Sequence, residues 1–79
     1  MNVARIRELV GRYDIDGLHQ LEAELMEKMD DDANDLEELG GELTDILGAR
    51  QILERVREEG IDQKLALREF IKNVRDTIN

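Results

Sequence analysis

Apolar residues recur along the chain at helical intervals, and no stretch alternates as a strand would. Val3, Ile6, Val10 and Tyr13 follow three- and four-residue steps with Leu9 beside them, which places them on one face of a helix over residues 3–13. Asn2 precedes that run and can accept hydrogen bonds from the free amides of its first turn. Asp14 offers the same cap to a second helix, 15–29, whose apolar face is Ile15, Leu18, Leu21, Leu25 and Met29. Gly17 weakens that first turn, because glycine costs about 1 kcal/mol relative to alanine inside a helix.

The third helix has a less distinct beginning. Leu36, Leu39, Leu43 and Ile46 keep helical spacing, but Gly40-Gly41 interrupts them, so the main helix is expected over 41–59 with residues 35–39 as one extra turn. The acidic stretch from about 30 to 40 is then the expected loop. Leu43, Ile46, Leu47, Ala49, Ile52, Leu53 and Val56 cover a wide arc of the helical wheel, which marks a central helix. Gly60 can take the left-handed position after its end, with Ile61 folding back on Val56. Asp62 caps a fourth helix, 63–78, with Leu67, Phe70, Ile71, Val74 and Ile78 as its apolar stripe. The expected fold is all-α: a single domain of four helices, in a compact bundle or an orthogonal array.

Composition narrows the chemistry. Seventy-nine residues allow one small domain, which buries only about 60% of its unfolded surface. Dimerisation is a common remedy for such a domain, so a homodimer stays open. The absence of cysteine excludes disulfides, thiolate metal sites and cysteine nucleophiles. With Tyr13 and Phe70 as the only aromatics, a base-stacking platform for single-stranded nucleic acid is not expected. No apolar run approaches the ~20 residues of a membrane span, and the N-terminus lacks the plan of a signal peptide. A cytoplasmic protein is the simplest reading. Acidity with only three lysines suits a salt-rich cytoplasm and an ordinary acidic bacterial protein about equally.

The net charge of −9 is unevenly spread. Residues 1–13 carry +2 and residues 61–79 carry +1, whereas segments 14–29, 30–42 and 43–60 carry −4, −7 and −1. Lys64, Arg68, Lys72 and Arg75 recur at i, i+4, i+8 and i+11, so they share one side of the fourth helix. That strip is either a solvated face whose stems cover apolar surface, or a docking strip for an acidic partner surface or for the acidic loop of a second copy. Leu65 projects to the same basic side, away from the apolar stripe, and is a further candidate contact. Glu22 and Arg50 interrupt the apolar arcs of helices two and three. A buried charge is costly unless paired, so these two are expected to approach each other or an interface partner.

Catalytic and metal motifs fail on inspection. An EF-hand loop begun at Asp30 would need glycine at Asp35 and a bidentate glutamate at Gly41. The Glu-x-x-His repeats of a di-iron bundle have one distant match, Asp16 with His19, and His19 is expected at the core edge of helix two. The chain has no serine, and Gly40-Gly41 lacks the lysine and hydroxyl of a P-loop. No cofactor, metal site or catalytic residue is therefore expected, and the chain is not expected to be an enzyme.

Ile52-Leu53-Glu54, Gly60-Ile61-Asp62, Ala66-Leu67-Arg68-Glu69-Phe70 and the end Val74 to Asn79 resemble a short all-helical bacterial family, a domain of unknown function with no assigned activity. The resemblance spans nearly the full length, with residues 30–42 least similar. It implies at most an association with thiol redox systems, whose electrons a cysteine-free chain could not itself carry. The expected function is a protein–protein interaction or adaptor module. The alternatives are a small nucleic-acid-associated regulator, including a DNA mimic, and, less favoured, a cryptic enzyme. A net charge of −9 opposes the phosphate neutralisation that a DNA reader needs.

Overall fold

A computed structural model describes residues 2–31 and 36–78, with residues 31 and 76–78 as backbone alone. The described residues form four helices: α1 (Val3–Arg12), α2 (Ile15–Asp31), α3 (Leu36–Glu59) and α4 (Gln63–Ile78). Among the described residues there is no strand.

The turns follow from capping chemistry. The Asn2 side chain accepts from Arg5 N–H at 3.1 Å, and Asp14 Oδ1 accepts from Gly17 N–H at 2.7 Å, so each supplies an acceptor to a helix start. At the α3–α4 corner Gly60 has φ +66°, and its N–H donates to the Val56 carbonyl at 2.9 Å. Ile61 then packs against the core together with Val56. A side chain at this left-handed position costs about 1 kcal/mol, so Gly60→Ala should lower the urea midpoint modestly without changing the slope of the transition.

Helix α3 is the strut of the fold: α1, α2 and α4 each pack on it, and the molecule is only 17 Å thick along its shortest axis. Ile6, Leu9, Val10, Leu18, Leu25, Ile46, Ala49, Ile52 and Ala66 form the buried core. Gly48 lets α1 and α4 sit on the same side of α3. A Cβ there would come within 3.1 Å of Phe70 Cζ and 3.3 Å of Ile6 Cδ1. Asn2 N–H donates to the buried carboxylate of Asp45 at 2.8 Å, and Arg5 donates through Nε and Nη2 to Glu42 Oε1. The Glu42 hydrogen bond also holds the Arg5 guanidinium above its ordinary pKa.

Three expectations need correction. Helix α3 begins at Leu36, not residue 41, and runs through Gly40-Gly41. Leu39 and Leu43 pack against the core, and Thr44 Oγ1 donates to the Gly40 carbonyl at 3.0 Å, which together offset the two glycines. The expected loop over 30–40 contracts accordingly: α2 continues to Asp31, and residues 32–35 lie outside the described part. Leu47, expected in the core, is 38% exposed, while Asp45 and Gly48 take buried positions on α3. On α4 the buried residue is Ala66, and Leu67, Phe70, Ile71 and Val74 are half-buried; the Ile78 side chain lies outside the described part.

Candidate functional site

Helices α1 and α4 rest side by side on α3 without closing on each other, and the space between them is a groove of about 720 Å³. Its floor is apolar. Val10 comes from α1, and Leu67 and Ile71 come from α4. The width of the α4 apolar stripe thus has a structural meaning: one edge covers the core, and the other lines the groove.

The walls are basic. Lys64, Arg68, Lys72 and Arg75 run along the α4 side, and Arg7 faces them from α1. At 1.5 Å per residue the α4 strip extends about 16 Å. Among the described residues no lining residue is acidic, in a chain with twenty acidic side chains. Gln63 closes one end, its Nε2 donating to the Val10 carbonyl at 3.2 Å and tying α4 to the last turn of α1. Gly11 leaves open space there, since a Cβ at that position would meet no atom within 4 Å.

The pairing of charges sets this groove apart. Arg5, Arg12, Arg50 and Arg55 each bridge to a carboxylate, including the Arg55–Glu69 contact between α3 and α4. Among the described residues, none of the five groove cations has a carboxylate partner. Lys28 and Arg57 also lack one, but they lie outside the groove. Like charges four residues apart oppose helix formation by about 0.2–0.5 kcal/mol per pair, and the strip holds two such pairs, Lys64–Arg68 and Arg68–Lys72. Lys64 also sits in the first turn of α4, where the positive end of the helix dipole opposes a cation and Asp62, at the cap, is the acidic residue that complements it. Among the described residues no ion pair offsets the repulsion within the strip.

The other singled-out residues fall elsewhere. Leu65 is 42% exposed on α4 and does not line the groove. Glu22 and Arg50 meet at the α2–α3 seam, with Arg50 Nη1 2.5 Å from Glu22 Oε2 and both side chains half-buried. Arg50 Nε also lies 3.4 Å from Glu54, and His19, which is exposed, stands with Nδ1 3.3 Å from Arg50 Nη1. This cluster fastens α2 to α3. Among the described residues no group of histidine and carboxylate side chains could hold a metal ion, and no helix is long and apolar enough to cross a membrane.

Sequence spacing foretells the four α4 cations. The contributions of Arg7 and Gly11 depend on α1 lying beside α4, which no local pattern encodes. A model of a family of unknown function, DUF6952, matches residues 1–79. No curated protein and no solved structure matches the chain.

Proposed function

The chain belongs to this family of unknown function, and from the groove we propose that it is a non-catalytic interaction module that binds an acidic, amphipathic segment of a protein. The observation that supports this is the convergence, among the described residues, of five cations in no ion pair on an apolar floor with no acidic lining residue. A helix presenting leucines to Val10, Leu67 and Ile71, and carboxylates to the flanking cations, satisfies both parts at once. Phosphate alone would use the walls and leave the floor idle.

The magnitudes favour a moderate affinity. Exposed charge pairs contribute about 0.2–1 kcal/mol each, and burying a leucine side chain contributes about 1.5–3 kcal/mol. Against the cost of association, these terms place the dissociation constant in roughly the micromolar range. The net charge of −9 does not prevent this. The Debye length is about 8 Å at physiological salt, so remote acids are screened while contacting charges are not.

The test is an NMR titration with a synthetic helical peptide that carries leucines on one face and glutamates beside them. Amide shifts are expected at Val10, Gly11, Lys64, Leu67, Arg68 and Ile71, with affinity falling at least tenfold between about 0.05 and 0.5 M salt. Gly11→Glu should also weaken binding at least tenfold, because its carboxylate enters the groove and engages the cations, while the open space at Gly11 spares the fold. Shifts spread evenly over the molecule would contradict the reading. So would tighter binding of a duplex DNA probe than of the peptide.

A further inference from the structure

Resting on that reading, we infer that one occupant of the groove is the acidic α2–α3 end of a second copy of this chain. The groove asks for carboxylates set beside exposed apolar side chains. Residues 30–42 carry seven acids and no base, the densest acidic stretch in the sequence. Glu37 and Glu38 are exposed in the first turn of α3, next to Leu36, which is 46% exposed. Late in α2, Met26 is 52% exposed and is followed by exposed Glu27 and Asp30. Met26 and Leu36 are the two most exposed large apolar residues described, and both sit among carboxylates.

The chain does not satisfy this match internally. Every described residue lining the groove comes from α1 or α4, so Met26, Asp30, Leu36, Glu37 and Glu38 of a copy are not seated in its own groove. The groove cations and the exposed carboxylates of Asp30, Glu37 and Glu38, none of them in an ion pair among the described residues, complement each other between molecules; Glu42, at the far end of the acidic stretch, is already held by Arg5. Contact brings the carboxylates of one copy to the unpaired cations of the other and covers Leu36 with the apolar floor. Groove and acidic end are different surfaces, so the contact is heterologous. It closes as a dimer when two copies exchange ends reciprocally, and otherwise it continues as a chain of copies.

Multi-angle light scattering on the full chain, as a function of concentration and salt, tests this with a charge exchange. The wild type is expected to self-associate at roughly 100 µM and to dissociate in about 1 M salt. One variant, Arg68→Glu with Lys72→Glu, reverses the groove; a second, Glu37→Lys with Glu38→Lys, reverses the end. Each alone should be monomeric, with helicity checked by circular dichroism. Mixed one to one, they should associate again, because the basic end of one now meets the acidic groove of the other. A wild type that stays monomeric at millimolar concentration overturns the inference, as do reversed variants that associate like wild type or a mixture that stays monomeric. If the wild type is monomeric but the groove still binds the synthetic acidic peptide, self-association fails and the interaction reading stands. If the peptide also fails to bind, both fall.

Discussion

Ile52→Ala is expected to lower the unfolding free energy by about 2–5 kcal/mol, the range for deleting most of a fully buried aliphatic side chain. Ile52 is 1% exposed on the central helix, and it borders a small cleft with Ala66 and Phe70 of α4. A domain of this size has about 4–12 kcal/mol in total, so this one substitution removes a large share. Each kcal/mol moves the melting temperature by roughly 4–8 °C, so a fall of 10 °C or more should appear in thermal circular dichroism. Leu47→Ala is the control five residues away on the same helix. Leu47 is 38% exposed, and its loss should cost under about 1 kcal/mol. Equal losses at the two sites would mean that α3 presents a different face to its neighbours.

That contrast also marks where the sequence is legible. The caps at Asn2, Asp14 and Asp62 and the left-handed Gly60 are local events, decided by side chains within a few residues, and they place the starts of α1, α2 and α4 and the end of α3 closely. The start of α3 is decided by tertiary packing. Leu39 and Leu43 reach the core and carry the helix through two glycines that local propensity reads as a break. Asp45 is buried for a similar reason. The start of α1 needs an acceptor for the Asn2 N–H, and Asp45 supplies it from inside the fold. Hydropathy alone cannot foresee which carboxylate meets a distant amide. The groove is legible by half: the α4 strip is periodic in sequence, while its opposite wall exists because Gly48 admits α1 and α4 together.

Arg68→Glu should move stability and binding in opposite directions. Arg68 lies between Lys64 and Lys72 at four-residue steps, is exposed, and has no described carboxylate partner. A glutamate there converts two repulsive pairs into attractive ones, a change of about 0.8–2 kcal/mol on helix scales and less once the tail is screened by solvent. The melting temperature should therefore rise by a few degrees. Binding should fall at least tenfold, because a wall cation is lost and a like charge now faces the partner's carboxylates. A strip maintained for packing would give the reverse, a loss of stability with the Arg68 stem and no effect on any partner.

The most direct measurement is therefore calorimetric titration of wild type and Arg68→Glu with the acidic amphipathic peptide, beside thermal unfolding of both proteins. Weaker binding by a factor of ten or more, together with an unchanged or raised melting temperature, is the result expected of a groove built to receive carboxylates. Unaltered peptide affinity in a variant that melts earlier would contradict it.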